Sequence, residues 1–158
     1  MKESGYHAYI DKDIATCIFT GIMTDTGCFS YNSSRRNTWL TVADLIEYGI
    51  DKDRIYGLTY DNYSAQRMRL LGYALNDKLE VFPEYRTGII VLSRQDLEKF
   101  HFEVGDSEGF VNYPLSIKGI SFSALFIEKD DHIKISFRSK GNFAVNDFSK
   151  RNFNGGGH

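Results

Sequence analysis

Cysteine is scarce in this chain. Its 158 residues include two, Cys17 and Cys28. They form neither a C-x-x-C pair nor a disulfide framework, so the thiols are expected to be reduced, as in a cytoplasmic protein. Long apolar runs are missing: no stretch is long enough to span a bilayer as a helix. No basic segment followed by an apolar one marks a secretory signal. An excess of one charge is missing too. Nineteen Lys and Arg against 21 Asp and Glu leave a formal net charge of -2, so bulk charge gives no reason to expect duplex-DNA binding. The sequence holds no G-x-x-x-x-G-K-[ST], no G-x-S-x-G and no paired Cys/His zinc spacing. Internal repeats and low-complexity segments are also absent.

What is present is aromatic and globular. Hydrophobic residues make up 42%, aromatics 15% and charged residues 25%, a balance that supports a sizeable core. The length suits roughly one domain, or a small domain with a piece of another. From Asp11 to Thr24, apolar residues recur at Ile14, Cys17, Ile18 and Ile22, with Phe19 and Met23 broadening the stripe. That spacing predicts a buried helix capped by Asp11 or Asp13. After "TDTGCFSYNSS", Thr38 is expected to cap a helix that runs to Tyr48 and ends at Gly49, and Asp51 to open another. "NYSAQRMRLLGYALN" predicts a further helix with Met68, Leu71 and Leu75 on one face.

The texture changes after Asn76. "KLEVF" and "TGIIVLS", separated by Pro83, predict a hairpin, and Ser93 predicts a cap for a helix over Arg94 to Phe100. "SEGFVNYPLS" suits a short helix ended by Pro114. "GISFSALFIE" and "HIKISFRS" read as strands, the second alternating Ile133, Ile135 and Phe137 with polar residues. "FAVNDFSKRNF" reads as a last helix. The expected class is therefore α/β, a small mixed-sheet domain flanked by helices and preceded by the helical end of something else.

Some short stretches could carry chemistry. Asp25, at a helix end and followed by Thr26 and Gly27, could hold a hard cation or equally bind local backbone N–H groups. Arg138 and Ser139 close the strand "ISFRSKG", and a planar guanidinium suits bidentate binding of phosphate. Gly155, Gly156 and Gly157, followed by His158, could turn successive backbone N–H groups toward one anion, or form a mobile tail. Lys129, Lys134, Arg138, Lys140, Lys150 and Arg151 cluster late in the chain among Phe137, Phe143 and Phe148. Those rings suit a core, or a surface for stacking bases. Asp130, Asp131 and His132 look like ligands but fall between two strands, where a polar turn is expected.

Taken together, the motifs resemble a known family. "GIMTDTGCF" is similar to the last metal motif of the DHH phosphoesterases. "ISFRSKG" followed by "FNGGGH" is similar to the substrate-binding signature of their DHHA1 domain. The segments between them, "GFVNYPLSIKGI" included, resemble the branch containing nanoRNases and 3′-phosphoadenosine 5′-phosphate phosphatases. The resemblance implies residues 1–50 as the end of a DHH domain, 51–76 as a helical linker and 77–158 as a truncated DHHA1-like domain. It implies Mn2+-dependent hydrolysis of short oligoribonucleotides or nucleoside bisphosphates at a two-metal site. Asp25 would be one metal ligand, and Arg138, Ser139, Gly155, Gly156, Gly157 and His158 would grip the substrate. Asn154 stands where many relatives have another glycine and is given no role.

The remaining metal motifs of the family, the Asp-His-His motif among them, are absent from this sequence. The expectation is thus the C-terminal portion of a longer enzyme, inactive alone, with a DHH domain and a second copy of the chain as expected partners. On this expectation the early helices leave apolar surface in water. A non-catalytic nucleotide- or RNA-binding module and a polyphosphate hydrolase are the alternatives.

Overall fold

The structure, a computed structural model, describes residues 9–156. The chain divides into two compact units, Met1–Asn62 and Tyr63–His158, each with its own core.

Three helices build the first unit: α1 (Lys12–Asp25), α2 (Arg36–Glu47) and α3 (Lys52–Tyr60). Their starts follow from carboxylate chemistry. Asp11 accepts a hydrogen bond from the Ile14 amide at 2.8 Å, and Asp51 does the same for Arg54 at 3.0 Å, each satisfying an amide that the helix leaves orphaned. For α2 the expectation needs correcting. The helix starts at Arg35 without a side-chain cap, and Thr38 lies inside its first turn. Gly49 does close it, in the left-handed region at φ 76°.

The core stripe of α1 also differs from the expected one. Ala15, Phe19 and Met23 are buried with Val42, Leu45 and Ile55, while Ile14 is 42% exposed and Cys17 is exposed. Ile18 and Ile22 lie at the margin, half-buried. Phe19, the bulkiest residue of the helix, takes the inner side and packs against the Phe29 ring at a centroid distance of 6.1 Å, leaving Ile18 and Ile22 packed at the rim of the core.

In the second unit, α4 (Ala65–Asn76), β1 (Leu79–Phe82), β2 (Thr87–Leu92), α5 (Arg94–Lys99), β3 (Phe122–Glu128), β4 (Ile133–Ser139) and α6 (Val145–Phe153) follow in order. The sheet is four-stranded in the order β1-β2-β3-β4. β1/β2 and β3/β4 are antiparallel hairpins; β2/β3 is parallel, which requires the crossover that α5 and a 3-10 helix, Phe110–Ser116, provide. Pro114 sits inside that 3-10 helix instead of ending it. The mixed α/β class and the small sheet flanked by helices agree with the sequence reading.

The register assigns the faces. Ile90 lies opposite Leu125 and Leu92 opposite Ile127, and these point into a core with Leu70, Leu71, Phe110 and Val111. Gly88 is needed on this face because a Cβ there would lie 2.6 Å from the Pro114 ring, so the 3-10 helix rests directly on β2. Helix α4 turns Arg67, Leu70, Leu71 and Ala74 inward. Met68, expected on its apolar face, is 52% exposed. The stretch 51–76 holds the two helices that the sequence reading expects there. Helix α3 belongs to the first unit, and α4 is built into the core of the second.

Candidate substrate-binding site

Arg138 and Ser139 end β4, as the sequence suggests. Strand alternation sends them to opposite faces. Arg138 lies opposite Ser123 on the core side, whereas Ser139 lies opposite Phe122 on the α6 side. The Arg138 guanidinium is exposed and donates to the Phe137 carbonyl at 2.8 Å. Lys140 follows the core-side alternation: its ammonium reaches the Leu115 carbonyl at the end of the 3-10 helix, and its amide bonds Ser121 at 2.8 Å. Two cationic side chains therefore flank the end of β4 on that side. On the other side, the Ser139 hydroxyl donates to the Phe143 carbonyl at 2.7 Å and ties the strand end to the segment that opens α6.

Helix α6 ends where the glycines begin. Asn154 caps it in the left-handed conformation at φ 49°, and the Gly155 amide donates to the Ser149 carbonyl at 3.2 Å. A Cβ at Gly155 would lie 2.0 Å from the Ser149 hydroxyl, so glycine serves close packing here. The Gly155 amide is engaged inside the turn, and Gly156 is exposed beyond it. Gly157 and His158 lie outside the described residues.

The Phe137, Phe143 and Phe148 rings belong to a larger aromatic group. Phe122 stacks on Phe137 at 5.7 Å and meets Phe148 edge-on at 5.8 Å, and Phe153 contacts Phe137 at 5.1 Å. Sequence reasoning passed over Phe122 and Phe153. Position on the Phe122, Ala124, Phe126 alternation was the available signal for the first.

Asp25 is the last residue of α1, in the first unit, and is exposed. Thr26, not Asp25, makes the local turn contacts. The Thr26 hydroxyl donates to the Ile22 carbonyl at 2.7 Å and accepts from the Phe29 amide at 3.0 Å. Gly27, Cys28 and Phe29 all have positive φ, at 53°, 55° and 64°, an uncommon run for residues with side chains. Among the described residues, no three His, Cys, Asp or Glu side chains gather as a metal site. One carboxylate does not make a two-cation site, so these residues by themselves do not fit the metal pair that the resemblance implies.

The β3–β4 turn behaves as expected. Asp130 pairs with Arg94 at 2.9 Å, and His132 lies 2.6 Å from Asp131 and holds that carboxyl below its usual range. An open, mainly apolar cleft of about 530 Å³ beside this turn is lined by Val91, Phe126 and Ile133 and does not include Arg138.

No family model matches the chain. Relatives that align with nearly all of it do. The bifunctional oligoribonuclease and PAP phosphatase NrnA of Bacillus subtilis is 28% identical over 157 residues, covering 99% of this chain and 48% of that protein. The chain resembles NrnA. The NrnA of Thermus thermophilus is 27% identical over 148 residues, covering 92% of this chain and 43% of its own length. A crystal structure of an exopolyphosphatase-related protein from Bacteroides fragilis matches with a TM-score of 0.93 and 47% identity, over 99% of this chain and 46% of that one. The resemblance to the DHH phosphoesterases of the NrnA branch, read from three short motifs, is borne out along the whole chain. The chain spans about half the length of the relatives it matches.

Proposed function

We propose that this chain is the substrate-holding portion of a phosphoesterase that hydrolyses short oligoribonucleotides or nucleoside bisphosphates. The observation that carries the reading is its alignment, end to end, with proteins named as oligoribonuclease and PAP phosphatase. Arg138 supplies a planar, permanently charged fork to a substrate phosphate. Gly156, Gly157 and His158 beyond α6 supply neutral and imidazole contacts to the substrate, and Ser139, on the other face of β4 from Arg138, holds the strand end to the segment that opens α6. Asp25 is one ligand for Mn2+, and the rest of that site comes from residues this chain does not contain, in a DHH domain N-terminal to it. A domain boundary where the two compact units divide, between Asn62 and Tyr63, and a cytoplasmic location in keeping with two free thiols, belong to the same proposal.

Because one carboxylate cannot organise a cation pair, the purified chain is expected to bind substrate and turn over none. The test is incubation with Mn2+ and a short oligoribonucleotide. Metal-dependent product that disappears in Asp25→Ala would contradict the proposal. A second reading, hydrolysis of inorganic polyphosphate, is favoured by the description of the structural relative as exopolyphosphatase-related. Competition separates the two. Displacement of a bound nucleotide by adenosine 3′,5′-bisphosphate far below the tripolyphosphate concentration needed supports the first reading, and the reverse order supports the second.

A further inference from the structure

Six phenylalanine rings gather on the α6 side of the sheet: Phe122, Phe126, Phe137, Phe143, Phe148 and Phe153. Phe122, Phe126, Phe137 and Phe148 are half-buried. Phe143 and Phe153 stand out, 50% and 45% exposed. Each contacts Phe148, at 5.8 and 5.7 Å, so both rings are braced from within while each offers open surface to water. Their backbone positions are specific. The Phe143 carbonyl holds the Ser139 hydroxyl, and Phe153 directly precedes the Asn154–Gly156 turn. Lys150 and Arg151 lie exposed in the last turn of α6. Two braced, half-open rings, with exposed cations on the helix between them in sequence, have the composition of a stacking surface for single-stranded nucleotides.

We propose that Phe143 and Phe153 form a platform on which a nucleobase of the bound nucleotide stacks. This rests on the proposed function and narrows it, since the ligand is then a nucleotide and not a bare polyphosphate chain. Phenylalanine carries no hydrogen-bonding group, so the platform reads the presence and size of the base and not its edge. Purines bind more tightly than pyrimidines through their larger face, with no strong preference between adenine and guanine.

The experiment is calorimetric titration of the 158-residue chain with adenosine 3′,5′-bisphosphate and, separately, with tripolyphosphate, for wild type, Phe143→Ala, Phe153→Ala and Phe143→Trp. Sedimentation and circular dichroism are recorded on each. In the expected result, each alanine variant weakens nucleotide binding by about fivefold or more, leaves tripolyphosphate binding unchanged, and Phe143→Trp retains nucleotide affinity. Should an alanine variant lose its fold, Phe143→Trp together with Phe153→Tyr, both expected to retain affinity, is read against Phe143→Leu, expected to lose it. Equal loss of both ligands, or no loss of either, overturns the platform while leaving the phosphate grip standing. No binding of either ligand by the wild type overturns the proposed function along with it. A shift from dimer to monomer in the alanine variants at unchanged nucleotide affinity assigns the rings to contact between copies of the chain and overturns the platform.

Discussion

Asp96 is 6% exposed and accepts from the Ser93 amide at 2.8 Å, the Ser93 hydroxyl at 2.7 Å, the Tyr73 hydroxyl at 2.7 Å and the Lys78 ammonium at 2.9 Å. Burial alone would push its carboxyl up, but the hydrogen bonds from Lys78, Ser93 and Tyr73 outweigh burial and hold it well below the usual carboxylate range. Because the folded value lies below the unfolded one, its stabilisation is complete above the unfolded pKa of about 4 and fades as pH falls toward the folded value. Asp96→Asn should cost about 1–2 kcal/mol at neutral pH through the lost cap and charge-assisted bonds. Urea midpoints for the two proteins should converge below about pH 4. Ser93 was legible as a cap because a cap needs neighbours only in sequence. Asp96 was not, because Tyr73 and Lys78 reach it from α4 and the turn after it. In the proposed grip, Arg138→Ala should weaken substrate capture about ten- to a hundredfold and Arg138→Lys less, since lysine keeps the charge and loses the fork. Equilibrium binding of a nucleoside bisphosphate measures both.

Among the elements, strands and caps were read more surely than buried faces. Pro83 between two strand-like runs marked the first hairpin, and alternation at Ile133, Ile135 and Phe137 marked β4. Helical periodicity narrowed the inner face of α1 only to a broad arc, because apolar residues are spread widely around the helix. Bulk decided within that arc. Phe19→Ala should therefore destabilise the first unit by about 3–5 kcal/mol, and Ile14→Ala by well under that, as chemical unfolding would show. For the grip, Ser139 and Arg138 were legible by position, and their divergence across β4 follows from strand alternation, but which of them takes the core side depends on the pairing with β3. Gly88 was equally silent in sequence. Gly88→Ala drives a methyl group toward the Pro114 ring, which has no flexible end to swing aside. The cost should be about 1–3 kcal/mol, seen as a lower Tm with the helical content of the first unit unchanged.

At the scale of the whole molecule, the chain is short on chemistry and long on surface. Ile14, Trp39, Leu40, Ile46, Tyr56 and Leu58 of the first unit stand in water, in keeping with the exposure expected of its early helices. Among the described residues, Asp25 belongs to no cluster of three His, Cys, Asp or Glu side chains that could hold a cation. Both observations suit the proposal that this chain, half the length of its relatives, holds a substrate and leaves the reaction to a larger assembly. That division can be read in one time course, the fluorescence anisotropy of a 3′-labelled triribonucleotide mixed with excess purified chain in Mn2+. The expected result is a rise to a plateau that stays flat for hours and is lowered by Arg138→Ala. No rise at all, or a rise that decays as product forms in Mn2+ and stays flat in Asp25→Ala, would contradict it.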